Sequence, residues 1–171
     1  MIRNAGHADV AALHTLVESA YRGESAKRGW THEADLLGGQ RTDVAALTEI
    51  IADPAQHILI LQNGDNIQGC VQITSRSHGI AYLGLLSVDP ALQAAGIGKH
   101  LIAAAEDFAR TTLGARSIEM TVIAQRAELI AYYERRGYAL TGETREFPLD
   151  DPRMGIAKTR ELSFVVLDKT L

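Results

Sequence analysis

The sequence contains one cysteine, four prolines and a single tryptophan, and no apolar run in it approaches membrane length. A lone thiol, Cys70, cannot close an internal disulfide or build a thiolate metal site. This excludes a disulfide-stapled scaffold and fits a reducing cytoplasm. The start, Met1 to Asp9, lacks the apolar stretch of a signal peptide, and nothing later nears the roughly 18 residues of a membrane span, so neither export nor membrane insertion is expected. Basic charge is not in excess either. Seventeen Lys and Arg stand against 21 Asp and Glu, for a formal net charge of -4. With no basic stripe to neutralise a phosphate backbone, nucleic acid is not an expected partner. The mild acid excess would suit a cationic acceptor, but it is common among proteins with no such substrate. The six histidines show no paired ligand spacing, and no metal is expected.

What is present is 171 residues, 46% hydrophobic and 22% charged, as suits one compact domain over 1–171. No repeat, low-complexity tract or linker divides it. A short strand around Ile2 precedes a helix that Asp9 can cap, with Val10, Leu13, Leu16, Val17 and Ala20 at helical spacing. Arg22 to Arg41 mixes glycines with Trp30, His32, Glu33 and Asp35 and reads as a loop with one helical turn at most. Val44, Leu47, Ile50 and Ile51 mark a second helix, stopped near Asp53-Pro54.

Runs from His57 to Leu61 and Ile67 to Ile73 flank Asn63-Gly64-Asp65-Asn66 and predict a hairpin, which Ile80 to Val88 extends into a meander. Leu101, Ile102, Ala105, Phe108 and Ala109 then describe an amphipathic helix ending before Gly114. Ser117 to Ile123 is a strand. Leu129, Ile130 and Tyr133 share one face of a further helix, from which Tyr132 is rotated by about 100°. Leu162 to Val166 closes the chain as a strand. Gly142 to Thr159, with Pro148 and Pro152, reads as irregular: a lid, an arm to a second copy in a homodimer, or a loop.

Between the strand ending at Val88 and the next helix lies Asp89-Pro90-Ala91-Leu92-Gln93-Ala94-Ala95-Gly96-Ile97-Gly98-Lys99. A strand, a small-residue loop and a helix start in that order suit an anion, because free N–H groups and the positive dipole end point outward and glycines admit a phosphate. Lys99 adds charge nearby. The run lacks the third glycine of a dinucleotide fingerprint and the Gly-Lys-Ser/Thr ending of a P-loop. Spacing alone leaves a phosphate site and a structural turn equally open.

The stretch from Leu86 to Leu101 resembles the acetyl-CoA motif of the GNAT superfamily of N-acetyltransferases, Arg/Gln-x-x-Gly-x-Gly/Ala, which Gln93, Gly96 and Gly98 match. Leu129 to Tyr138, with Tyr133-Glu134 before Gly137-Tyr138, is similar to the family's other signature helix. The order of elements fits the family along nearly the whole chain. The resemblance implies a mixed α/β fold with a partly antiparallel central sheet of about seven strands, flanked by helices and splayed at the acetyl-CoA site. It also implies that Gln93, Ala94, Ala95, Gly96, Ile97, Gly98 and Lys99 hold the CoA pyrophosphate. The main chain of Leu86, Ser87 and Val88 would pair with the pantetheine arm like an added strand.

Tyr133 matches the tyrosine that assists the departing CoA sulfur, with a helix tyrosine in the core as the alternative, and the Val88 N–H would polarise the thioester carbonyl. The chain departs from the family at Arg126, where many members carry asparagine; Arg126 could instead reach a phosphate. The strand before the CoA loop also lacks the glutamate that members often use as base. Glu33, Asp35, Glu119 or a water chain are the candidates, with Glu33 favoured and Trp30, His32, Glu33 and Asp35 forming an acceptor pocket; a solvated loop is the alternative. Arg135 and Arg136 read as a solvated helix end, with contact to the CoA ribose phosphate as the alternative, and Cys70 reads as a core residue. The implied activity is direct acetyl transfer from acetyl-CoA to a small-molecule or peptide amine. An inactive acyl-CoA-binding or regulatory protein on the same fold is the rival reading.

Overall fold

The computed structural model describes residues 1–22, 37–38, 41–149, 155–159 and 161–171. Strand β1 (Ile2–Asn4) leads into helix α1 (Val10–Tyr21), which buries Val10, Leu13, Leu16, Val17 and Ala20 as their spacing predicts. Asp9 precedes α1 but makes no side-chain cap. Its carboxylate instead accepts two N–H groups of the Arg3 guanidinium and the Gly6 backbone N–H, each at 2.8 Å. A bidentate guanidinium outcompetes the helix amides, and it ties β1 to the start of α1.

Strand β2 (Leu37–Gly38) precedes helix α2 (Val44–Ala52), which is capped by Asp43 Oδ1 accepting from the Ala46 N–H at 2.7 Å. The meander follows as β3 (Gln56–Asn63), β4 (Asn66–Arg76) and β5 (Ile80–Val88). Helix α3 (Ile97–Thr111), strand β6 (Ser117–Ile123) and helix α4 (Ala127–Glu134) come next, then β7 (Ala139–Glu146), β8 (Ile156–Ala157) and β9 (Ser163–Thr170).

Two of these elements differ from the sequence reading. The segment from Gly142 reads as irregular in the sequence, yet β7 runs on to Glu146. Its register shifts between Leu140 and Thr144, and Gly142 takes φ +85° within that shift, so this glycine marks a bulge and not a strand end. The last strand also runs to Thr170. Its polar end still pairs with both neighbours, and Lys169 there binds the Glu106 carboxylate at 3.0 Å from each oxygen.

Seven strands form one sheet in the order β1-β3-β4-β5-β6-β9-β7, while β2 and β8 pair separately. Alternation along the central strands feeds two cores. Ile58, Ile60, Cys70 and Leu85 face α1 and α2, whereas Leu59, Val71, Ile73 and Leu83 face α3 with Leu101, Ile102 and Ala105. Every pairing in the large sheet is antiparallel except β5 with β6, and these two pair only at Ile80–Ser117, Ala81–Ile118 and Tyr82–Glu119. Beyond Tyr82 they part, leaving an opening in the middle of the sheet. No helix among the described residues is long and apolar enough to cross a membrane.

Candidate active site

The opening begins at a break in β5. Leu85 sits at φ +53°, where the register between β4 and β5 shifts, and a non-glycine residue in that region costs about 1–3 kcal/mol unless neighbours hold it. The neighbours are the Ser87 hydroxyl and the Cys70 thiol, which donate to the Leu85 carbonyl at 3.1 and 3.6 Å. A bulge bends its strand, and here it turns the second half of β5 away from β6. The Asp89 N–H donates to the Gln68 carbonyl at 3.0 Å and so faces β4. Alternation then puts the N–H of Val88, and both polar groups of Leu86, on the opposite side, toward the opening. The Tyr21 hydroxyl, at the end of α1, donates to the Leu86 carbonyl from that side at 2.6 Å.

After β5 the Asp89 carboxylate caps a short turn by accepting from the Ala91 N–H at 2.9 Å, and the chain then bends sharply through Ala94 at φ +71° and Gly96 at φ +81°. Gly96 is the residue before α3 and brings no side chain to cap it. The N–H groups of the first turn, Ile97 to Lys99, therefore have no intrahelical acceptor and face the cavity this loop borders. At Gly96 a Cβ would meet no protein atom within 4 Å, whereas at Gly98 it would lie 2.7 Å from the Tyr132 hydroxyl. The second glycine of the motif thus makes room for a side chain of α4.

This first cavity, of about 200 Å³, runs from the α3 N-terminus along the open edge of β5 to α4. Of the residues singled out in the sequence, Leu86, Ser87, Val88, Gln93, Ala94, Gly96, Ile97, Gly98, Lys99, Arg126 and Tyr133 line it, while Ala95 is not among its lining residues. Tyr132 and Arg136 line it too. Tyr132, set off the helix face by phase, reaches the cavity because its long ring spans the gap to Gly98, edge-on to Tyr133 with centroids 5.5 Å apart. The Arg136 guanidinium lies 3.5 Å over the Tyr132 ring and donates to the Tyr132 carbonyl at 2.6 Å. Its buried Nε has no hydrogen-bond partner, and neither has the buried Oε1 of Gln93, whose amide nitrogen donates to the Val88 carbonyl at 3.4 Å. Uncapped helix amides, Lys99 and a spare guanidinium donor fit a pyrophosphate, and the free strand edge fits an amide-bearing arm. Arg135, by contrast, is exposed, as a solvated helix end.

A second cavity, of about 140 Å³, shares Tyr21, Leu86, Arg126, Leu129 and Tyr133 with the first. Tyr133 is buried at the junction of the two. Burial pushes its phenol well above the ordinary tyrosine range, and the neighbouring Tyr21 adds to the shift while the Arg126 charge opposes it. The hydroxyl therefore keeps its proton at any working pH. Arg126, itself buried, sits at this junction and not only among the loop amides. Glu119 lines neither cavity. Its carboxylate accepts from Arg76 at 2.8 Å and Arg145 at 3.5 Å, which removes it from the base candidates. Trp30, His32, Glu33 and Asp35 lie outside the described residues.

Sequence reasoning did not single out Tyr21. A tyrosine ending a helix on the apolar side carries no motif, and only the tertiary fold brings it to Leu86. Burial also raises the Cys70 thiol to about 12, consistent with a core residue.

A family model described as the acetyltransferase (GNAT) family matches residues 11–138. No curated protein matches the sequence. Among solved structures the chain is similar to a ribosomal-protein-alanine N-acetyltransferase from Brucella melitensis, at 19% identity over 100% of this chain and 99% of that one, with a TM-score of 0.74. It is similar to a spermidine N-acetyltransferase variant from Vibrio cholerae, at 18% identity, 99% and 92% coverage and a TM-score of 0.71. It is also similar to yncA from Salmonella typhimurium, solved with its cofactor acetyl-CoA, at 20% identity, 100% and 93% coverage and a TM-score of 0.71. At these identities the likeness speaks to the fold.

Proposed function

Since the chain belongs to the acetyltransferase (GNAT) family, we propose that it moves the acetyl group of acetyl-CoA directly to a primary amine of a small molecule or peptide. The observation that carries this reading is one continuous cavity, which joins the uncapped start of α3, the open edge of β5 and the buried Tyr133 hydroxyl. Acetyl-CoA supplies an activated thioester: the amine nitrogen forms the new C–N bond, the C–S bond breaks, and the sulfur leaves with a proton.

The amides of Ile97 to Lys99, the Lys99 ammonium and Arg136 bind the pyrophosphate end. The outward N–H and carbonyl of Leu86 pair with the pantetheine amides, the carbonyl keeping its bond from Tyr21 on one lone pair and accepting from the arm on the other. The Val88 N–H polarises the acetyl carbonyl, and Tyr133, kept protonated by burial, gives its proton to the sulfur. The proton of the acceptor ammonium goes to Glu33, to Asp35 or to water. Arg126 stands beside Tyr133, where its charge favours the phenolate that the transfer leaves behind.

The second reading, an acyl-CoA-binding protein without catalysis, draws on one observation: no carboxylate lines either cavity among the described residues. The test is calorimetric titration with acetyl-CoA and CoA, followed by thiol release against pooled amines, amino acids and peptides. Binding with release supports the enzyme, and binding without release supports the second reading. Absence of binding overturns both.

A further inference from the structure

We infer that the acceptor amine also carries a carboxylate, seated by Arg41 in the second cavity. The inference rests on the acetyl-transfer reading above and names the acceptor class for that same site. Arg41 lines this cavity beside Tyr21 and Tyr133, and a carboxylate entering here is drawn to its guanidinium where water is scarce.

Arg41 is the group best placed to act. The backbone N–H groups of Arg41 and Thr42 donate to one Glu18 oxygen, at 2.6 and 2.8 Å, so the Glu18 carboxylate secures the main chain here. The Arg41 guanidinium lies over the Tyr21 ring, 5.1 Å from its centroid. Tyr21 is in turn fixed to the Leu86 carbonyl at 2.6 Å, on the edge that leads to Tyr133. A chain of three contacts therefore sets the guanidinium at a defined place relative to the transfer point. A planar fork of donors matches a carboxylate, and pairing in a partly dry cavity is worth more than at the surface. The remaining wall, which includes Tyr82, Met120, Phe147 and Phe164, suits an apolar or aromatic body. A cavity of this size takes a small molecule of amino-acid dimensions.

The experiment compares matched acceptors on the full chain with saturating acetyl-CoA: phenylalanine against phenethylamine, methionine against its decarboxylated amine, and spermidine. Thiol release should occur with the carboxylate-bearing member of at least one pair, with kcat/KM at least about tenfold above its twin. Arg41→Met should then raise the acceptor KM by about tenfold or more, with kcat changed far less and with Tm and acetyl-CoA affinity unmoved. Arg41→Lys, which keeps the charge but not the fork, should fall between. Equal or better use of the carboxylate-free amine or of spermidine, no release with any carboxylate-bearing amine, or an unchanged KM in Arg41→Met would each overturn the inference while acetyl-CoA binding stands. Failure of the wild-type chain to bind acetyl-CoA would instead remove the reading on which it rests.

Discussion

On the proposed reading, two residues divide the work of the site, Tyr133 serving turnover and Gly96 serving binding, and each can be tested alone. Tyr133→Phe removes a hydroxyl that burial keeps protonated, so kcat should fall by about 100-fold while the acetyl-CoA Kd moves less than about threefold. Steady-state kinetics beside calorimetry separates the two; an unchanged kcat would remove Tyr133 as the acid. Gly96→Asp does the reverse. Its carboxylate would occupy the amides of the first α3 turn and repel phosphate, so the Kd should rise at least about 100-fold with the fold retained by circular dichroism. Both positions were legible in the sequence because each belongs to a motif with fixed spacing. Tyr21 and Arg41 were not, since what they do depends on where α1 and the start of α2 lie against β5, and no local pattern encodes that. Ala95 sits inside the motif and yet off the cavity, because the sharp bend through Ala94 and Gly96 turns one residue of the loop outward.

At the level of elements, the site depends on α3 lying close to the sheet. Gly69 on β4 allows this: a Cβ there would fall 2.8 Å from a Leu101 methyl and 2.9 Å from the Ser87 carbonyl. Neither neighbour can yield easily, one being a core side chain and the other backbone. Gly69→Ala should cost about 1–3 kcal/mol in denaturant unfolding and, by lifting the start of α3, weaken acetyl-CoA binding as well. Binding as tight as wild type would show that the helix start moves independently of this contact. The apolar elements are legible in the sequence, since hydrophobic period, turn residues and the stop at Asp53-Pro54 are local signals. The part of β7 beyond Gly142 is not, because it is polar and follows a glycine inside a bulge, and Asp9 reads as a helix cap because the competing Arg3 is a tertiary partner.

For the molecule as a whole, the edges of the sheet are guarded. β1 has three residues, and β7 carries a bulge and the pair Arg145–Glu143 at 2.8 Å, features that discourage a further strand from adding there. The Arg3–Asp9 pair anchors the first edge to α1, and the hydrogen bond from Arg3 holds the Asp9 carboxyl below its ordinary range. A depressed folded pKa means the contribution is present above about pH 4 and lost as pH falls through the folded value. Asp9→Asn should therefore lower Tm by about 3 °C at pH 7, with the gap closing in thermal melts as pH falls through the folded value. A gap that persisted in acid would assign the loss to packing. One further property follows from Cys70. It is the sole thiol of the chain, fully buried on the face of the sheet that α1 and α2 cover and held neutral by burial, so an alkylating reagent can reach it only when that helical layer opens. Its labelling rate is an intrinsic clock for that opening, readable without any engineered probe. With acetyl-CoA seated along β5 as proposed, where Tyr21 ties α1 to the Leu86 carbonyl, the donor should slow the clock in proportion to its occupancy, which gives a measure of affinity that needs no acceptor at all.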